Sequence, residues 1–270
     1  MQSPADRRET FRELHRKGCF ALPNPWDIGS AKYLEQLGFK AIATTSAGFA
    51  FSRGLPDGAV GLDLMLAHIR EIVEATDLPV NADFENGYAD DPDEVAANVK
   101  RCVETGLAGL SIEDNSGRGD KPLYEVEFAA DRVRAAKAAI GDSGVLLTGR
   151  AECFLVGRPD IDEVLRRLTA YAEAGADCLY APGIRERDHI VSVVKAVAPK
   201  PVNLLISAPG GLTMRDAAEL GVRRVSVGGA LARAAWGGFI RAAKELAEAG
   251  TFNGFAGASP HGELQELFKT

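Results

Sequence analysis

Cysteine, histidine and surplus basic charge are all scarce in this chain, and each scarcity removes a class of function. The four cysteines, Cys19, Cys102, Cys153 and Cys178, stand far apart with no C-x-x-C pair. That spacing excludes a zinc ribbon or a disulfide framework and suits thiols kept reduced in a cytosol. Lysine and arginine number 31 against 38 aspartates and glutamates, a formal charge of −7. Nucleic acid and anionic membrane reward basic patches, so neither is expected as a partner. No apolar run approaches the roughly 20 residues that span a bilayer. The opening stretch, MQSPADRRETFRELHRKG, has no apolar signal-peptide core. His68 and His189 fall in helical patterns, and His15 and His261 lie near the ends, so no histidine-based mechanism recommends itself. A soluble cytoplasmic globular protein is the expectation.

What is present is one pattern repeated from end to end. Short apolar segments at 19–23, 41–46, 79–84, 109–113, 145–151, 178–182, 202–206 and 224–228 read as strands of a parallel sheet covered on both faces. Amphipathic helical patterns alternate with them at about 28–37, 61–76, 93–105, 125–140, 160–174, 185–197, 213–220 and 230–248. Gly38, Gly106, Gly175 and Gly221 fit left-handed helix caps, and Pro92 and Pro159 fit first helical positions. Eight strand–helix units in about 250 residues is the arithmetic of a (β/α)8 TIM barrel. A doubly wound sheet would carry G-x-G-x-x-G after its first strand, where this chain has PNPWDIGS. With no linker, residues 1–270 read as a single barrel domain. An extra helix at about 4–17 precedes it, and the patch GTFNGFAGASPHG leads to a short C-terminal helix.

A barrel places its active site at the C-terminal ends of its strands. Alternation puts Asp83 and Glu85, ending strand 3, on one side of that rim. Strand 4 ends in Glu113 and Asp114, and the loop after strand 2 adds Asp57. Single acids at strand ends usually cap helices or meet solvent, as the cluster Asp90, Asp91 and Asp93 is expected to do. Carboxylates converging from adjacent strands repel one another unless a cation sits among them, and hard oxygen donors suit Mg2+ or Mn2+. Arg150, ending strand 5, can grip an anionic substrate group through its planar fork, or make a structural ion pair with Glu152 or Glu113. The small residues of TTSAGFAFSRGLPDG, 44–58, either bring backbone N–H groups close to an anion or only turn the chain.

The segments TTSAGFAFSRGLPD, LPVNADFENGY, GLSIED and GRAECFLVG resemble successive motifs of the isocitrate lyase/phosphoenolpyruvate mutase family, in the family's order and over nearly the whole chain. The resemblance implies a (β/α)8 barrel with Mg2+ held largely through waters by Asp83, Glu85 and Glu113. It implies Asp57 near the reacting centre. An α-keto or α-hydroxy acid would chelate the ion, its carboxylate held by Arg150 and the backbone of Thr45, Ser46, Ala47 and Gly48. The family more often has Asp where Glu85 stands, and one extra methylene still permits a ligand acting through water. The shared chemistry is an enolate formed while a C–C or P–C bond breaks.

Isocitrate-type lyases carry K-[KR]-C-G-H after strand 4, whose Cys transfers a proton. This chain has NSGRGDKPLYE at 115–125, with neither Cys nor His. Cys153, just past the strand 5 rim, is expected to be a buried, inert thiol. Asn115 and Lys121 match in type the gating loop of the mutase and phosphonopyruvate hydrolase branch, and Gly117 and Gly119 suit a lid. The leading expectation is a Mg2+-dependent lyase or hydrolase of a small α-keto acid, of the oxaloacetate decarboxylase or acylpyruvate type. The alternative is a P–C bond enzyme. A metal-free sugar-phosphate enzyme using Gly210-Gly211 and Gly228-Gly229 ranks lower, because it leaves the rim acids without a role. After strand 8, GALARAAWGGFIRAAKELAEAG carries Trp236 and Phe239 as apolar anchors, and Gly237-Gly238 is expected to break the helix. The resemblance implies that this last barrel helix is swapped between subunits, in a homotetramer built as a dimer of dimers.

Overall fold

The computed structural model describes residues 2–269. Eight strands, β1 (Phe20–Leu22), β2 (Ile42–Ala43), β3 (Val80–Asp83), β4 (Gly109–Glu113), β5 (Leu146–Arg150), β6 (Cys178–Tyr180), β7 (Val202–Leu205) and β8 (Arg224–Ser226), form one sheet. Every pairing is parallel, in the order β1-β8-β7-β6-β5-β4-β3-β2. Between β1 and β2 the Ala43 N–H donates to the Pro23 carbonyl at 3.0 Å, which nearly closes the sheet into the expected (β/α)8 barrel.

Helices follow the strands: α2 (Ile28–Gln36), α3 (Ser46–Ser52), α4 (Leu62–Ala75), α5 (Pro92–Val103), α6 (Val126–Ile140), α7 (Ile161–Glu173), α8 (Arg187–Val197), α9 (Met214–Glu219) and α10 (Ala230–Ala249), with α1 (Pro4–Arg16) ahead of β1 and α11 (His261–Leu267) last. Their starts follow capping chemistry. The Asp91 carboxylate accepts from the N–H groups of Asp93 and Glu94, with Pro92 as the first helical residue. Asp160 caps α7 in the same way, so Pro159 stands one residue ahead of the cap and not at the first helical position. Gly38, Gly106, Gly175 and Gly221 all have positive φ, as helix-ending residues need. Two further expectations are corrected. Part of the 44–58 stretch is helical, because Thr45 caps Ser46–Ser52 by accepting from the Gly48 N–H. Helix α10 runs unbroken through Gly237-Gly238, since neighbouring Ala, Leu and Lys residues offset the propensity cost of the pair.

The main core fills the belt between sheet and helices, with Ile42, Ile69, Leu110, Val133, Leu168 and Ile190 fully buried. The barrel lumen is polar instead. Arg224 projects into it, donating to Asn203 Oδ1 and Thr148 Oγ1, both at 2.9 Å, and facing His15 Nε2 at 3.2 Å. Helix α1 closes the lumen from below. Its Phe11 is fully buried, and its Arg7 and Arg8 donate to carbonyls of Val73, Thr76, Val103, Leu107 and Ser143. Among the described residues no helix is long and apolar enough to cross a membrane.

Gly109 at the start of β4 makes room for this plug. A Cβ there would lie 2.6 Å from Phe11 Cε1 and 2.8 Å from Asn81 Oδ1. Gly109→Ala should therefore cost roughly 1–3 kcal/mol by overpacking. Phe11→Leu placed in the Gly109→Ala background should recover part of that loss, and chemical denaturation of the two variants checks both expectations.

Candidate active site

Three consecutive strands end in charged residues that meet. Asp83 is the last residue of β3, Glu113 of β4 and Arg150 of β5, and Glu113 and Arg150 are register partners. The Arg150 Nη1 lies 3.2 Å from Asp83 Oδ1 and 3.2 Å from Glu113 Oε2, while its Nε donates to Glu152. Its guanidinium also sits 5.3 Å from the centre of the Tyr180 ring. The other Asp83 oxygen accepts from the Ser46 N–H at 3.0 Å, and the Asp83 N–H donates to Thr44 Oγ1 at 2.9 Å. One guanidinium thus holds the ends of β3, β4 and β5 together.

The acids around it are strained electrically and, in one place, sterically. Burial pushes Glu85 up to about 7, against the pull of the hydrogen bond from Tyr88 and with a further push from Asp83 and Asp57. Burial also raises Asp57, with Asp83 adding to the effect. Glu113 and Glu152 are raised by burial too, and Arg150 opposes both shifts. Burial alone would lower Arg150, but Glu113, Glu152 and Asp83 hold it firmly charged. Glu85 and Tyr88 both adopt left-handed backbone, at φ 46° and 58°. The Tyr88 hydroxyl donates to Glu85 Oε1 at 2.8 Å, which aims the carboxyl inward. Such backbone costs about 1–3 kcal/mol per residue and persists only where surrounding structure enforces it.

That enforcement is visible behind the rim. Arg132 is fully buried, donates to the carbonyls of Asn86, Ala89, Asp90 and Glu113, and lies 4.1 Å over the Tyr124 ring. It ties the loop after β3 to the end of β4. Asp114, which points away from the rim, accepts from Arg167 at 3.0 Å, from Tyr171 at 2.6 Å and from the Glu152 N–H at 2.8 Å. Cys153 is buried and its thiol is pushed up to about 12, which agrees with an inert side chain.

Two cavities share Arg150, Ser46, Asp57 and Leu155. One, of about 180 Å³, drops into the lumen past Thr45, Ala47, Asp83 and Asn203 to Arg224. The other, of about 390 Å³, runs along Glu85, Glu113, Tyr88, Asn115 and Gly117. The structure therefore brings together Thr45, Ser46, Ala47, Asp57, Asp83, Glu85, Glu113, Asn115 and Arg150. Gly48 stands outside both linings. Its N–H goes to Thr45 Oγ1, and a Cβ there would lie 2.6 Å from Thr45 Cγ2 and 2.9 Å from Trp26 Cβ, so packing accounts for the glycine. Asn115 opens a flap closed by its bridge to Leu123 and uses its side-chain oxygen to accept from the Gly117 N–H. Lys121 and Gly119 are exposed on that flap. The Gly228 N–H donates to Asn24 Oδ1 at 2.9 Å, so it is not free to cradle a phosphate.

Sequence reasoning passed over Asn24, Tyr180, Asn203, Arg224 and Ser226 as lining residues. The signal was there, since Asn203, Arg224 and Ser226 are polar at alternate positions in otherwise apolar strands. Five carboxyls against Arg150 leave negative charge in surplus at the rim, and an all-oxygen donor set fits a hard cation such as Mg2+. Among the described residues no three acidic, His or Cys side chains form a ready direct ligand set. The fit is that of an ion retaining its own waters.

A parallel (β/α)8 barrel with acids and an arginine gathered at its C-terminal rim has the layout of a barrel enzyme's active face. A family model described as phosphoenolpyruvate phosphomutase matches residues 11–247. The chain belongs to this family of lyases and mutases, within the phosphoenolpyruvate mutase/isocitrate lyase superfamily. It is 48% identical to the crystal structure of a proposed lyase/mutase from Burkholderia cenocepacia J2315, with TM-score 0.95, covering 99% of this chain and 98% of the other. It is 32% identical over 236 residues to an oxaloacetate decarboxylase from Paraburkholderia xenovorans, covering 82% of this chain and 75% of that protein. A phosphonopyruvate hydrolase solved with oxalate and Mg2+ superposes at TM-score 0.84 and 26% identity, covering 98% of this chain and 95% of the other.

Glu85 makes a pH test possible. Its folded value, about 7, lies above the ordinary 4.5, so the folded state binds this proton more tightly than the unfolded chain does. The resulting stabilisation is fully present below pH ~4.5 and is lost as pH rises through ~7, on the order of 3 kcal/mol. Metal-free protein should accordingly lose thermal stability across that window, and Glu85→Gln should flatten that part of the profile. Thermal melts in chelator between about pH 4 and 8 supply the comparison.

Proposed function

We propose that the protein is a Mg2+-dependent lyase or hydrolase that breaks a C–C bond of a small α-keto acid by way of an enolate. The surplus of carboxyls around Arg150 carries this reading, and the likeness to an oxaloacetate decarboxylase supports it. Asp83, Glu85 and Glu113 would hold the ion, mainly through water. When bound, such an ion polarises a keto oxygen as a Lewis acid. Arg150 lines both cavities, and its charge would hold the substrate carboxylate there. The N-terminal turn of α3, Thr45–Ala47, faces the same space. Asp57 lines both cavities and is aligned by Ser46, which suits it to hold a proton beside the reacting carbon. Asn115 would come down with the flap and help exclude water.

Cleavage of a P–C bond is the second reading. Asn115 on the flap and the likeness to a phosphonopyruvate hydrolase favour it, while the short, Gly-rich flap matches that branch only in part. A metal-free sugar-phosphate reaction is disfavoured by the Asn24–Gly228 hydrogen bond. The test is a panel of α-keto acids and phosphonopyruvate with Mg2+, read by pyruvate release. Asp83→Ala should lower kcat/KM at least ~10²-fold, the usual effect of removing an electrostatic stabiliser. Chelator should abolish activity and Mg2+ should restore it, and full turnover in excess chelator would sink the proposal.

We also propose that the working form is a cytoplasmic homotetramer, assembled as a dimer of dimers with α10 exchanged within each dimer. Of the described residues of α10 only Ala232 is fully buried, while Trp236, Phe239 and Ile240 are 37%, 62% and 45% exposed. Beside β8 and β1 an apolar cavity of about 560 Å³, lined by Trp26, Tyr33, Leu37, Ile206 and Met214, remains where the last helix of a barrel packs. A second copy's α10 fits both needs with no new surface. Light scattering at micromolar concentration should give a mass near four times 28.7 kDa. Trp236→Asp should drive it to smaller species, and a monomeric mass for the unaltered chain would refute the assembly.

A further inference from the structure

The lumen cavity shares part of its lining with a neighbouring chamber. Leu155 and Leu205 separate it from a second chamber of about 170 Å³, whose further lining includes Ile184, Leu204, Ile206 and Leu212. Leu205 ends β7 two residues after Asn203, so both face the lumen. Its Cδ1 closes on Gly228, where a Cβ would approach to 3.2 Å. Leu155 follows Arg150 and Glu152 in the loop after β5, and its N–H donates to the Glu152 carbonyl at 2.8 Å. It lines the lumen cavity, the carboxyl cleft and this chamber together, yet it is 52% exposed.

A half-exposed leucine where three cavities of a charged site meet leaves apolar surface that a ligand can cover. The two cavities also differ in kind. The acid head of a substrate finds Arg150, Ser46 and Asn203 in one, whereas a second carboxylate passing Leu155 and Leu205 would meet aliphatic side chains. Ser207 and Arg185 are the polar side chains of the chamber lining, and Arg185 is exposed. Desolvating a carboxylate among leucines is costly, and a neutral apolar group gains there instead.

We propose that this chamber receives the apolar tail of an elongated substrate, a 2,4-dioxo acid bearing an alkyl or aryl group beyond C4. Leu155 and Leu205 then determine tail length. The inference rests on the keto-acid reading of the Arg150 site. A cavity of about 150 Å³ holds a benzene ring, so a tail of roughly four to six carbons fits. In the corresponding reaction water adds through oxygen to C4 and the C3–C4 bond breaks. The electron pair stays on C3 as the pyruvate enolate, which takes up one proton. The products are a carboxylic acid and pyruvate, and the atoms of one water balance the equation.

The experiment uses the full-length protein with Mg2+ and two readouts. Pyruvate release is measured from oxaloacetate and from 2,4-dioxo acids with tails of increasing length, and calorimetry measures binding of unreactive 2-oxo acids with the same tails. Affinity and kcat/KM should rise roughly three- to fourfold per added methylene until the chamber is full. Leu205→Phe should move the optimum to shorter tails, and Leu155→Ala should move it to longer ones. Tails that tighten binding without any cleavage would uphold the chamber and defeat the lyase reading. Cleavage of oxaloacetate with binding and turnover indifferent to tail length, or improved by a terminal carboxylate, would overturn the chamber and leave the lyase reading standing.

Discussion

One buried guanidinium organises the catalytic rim of this barrel. Arg150 joins Asp83 on β3, Glu113 on β4 and Glu152 beyond its own strand, so three neighbouring strand ends share a single positive charge. A buried ion pair of this kind is weak support for stability, because desolvation offsets much of the attraction. Its value lies in position. It keeps Asp83, Glu113 and Glu152 together at one point of the rim, where burial raises Glu113 and Glu152 and Arg150 opposes both shifts. Without Arg150 the same acids would be left buried and unmatched.

A second layer of polar side chains keeps that geometry rigid. Arg132 gathers four main-chain carbonyls from the loop after β3 and the end of β4. Asp114, Arg167 and Tyr171 fix the end of β4 against α7, and the Glu152 N–H binds into the same group. The left-handed backbone of Glu85 and Tyr88 is tolerable because these contacts surround it on the buried side. The lower half of the lumen is equally fixed, since Arg224 is hydrogen-bonded to Asn203 and Thr148 and stands over His15. Burial and Arg224 together push His15 down to about 3, so its imidazole adds no second positive charge beside Arg224.

The chain's apolar surface divides by use. Inside the belt it is continuous and closed. Outside, it is left open in the groove beside β8 and β1 and along α10. Among the described residues lining the two site cavities, Leu155 is the large aliphatic side chain left exposed.

The repeating architecture was legible in the order of residues. Near-continuous apolar runs, the helix-start cluster Asp90, Asp91 and Asp93, and glycines such as Gly38 and Gly175 act over a few residues, so local spacing located the strands and helices. Once eight units implied a barrel, alternation sufficed to bring Asp83, Glu113 and Arg150 to one rim. The reading failed in α10, where helix-forming neighbours outweigh the glycine pair, and at 46–52, where the Thr45 cap starts a short helix. Other features depended on closure of the sheet. Arg224 on β8 meets Thr148 on β5, and Leu205 and Leu155 line one cavity, only because the lumen brings distant segments together. The sequence by itself determined which residues point inward, because alternation is a property of each strand. Tertiary structure alone decided which of them touch, because contact across the lumen depends on curvature, stagger and the plug of α1, and no local spacing encodes these.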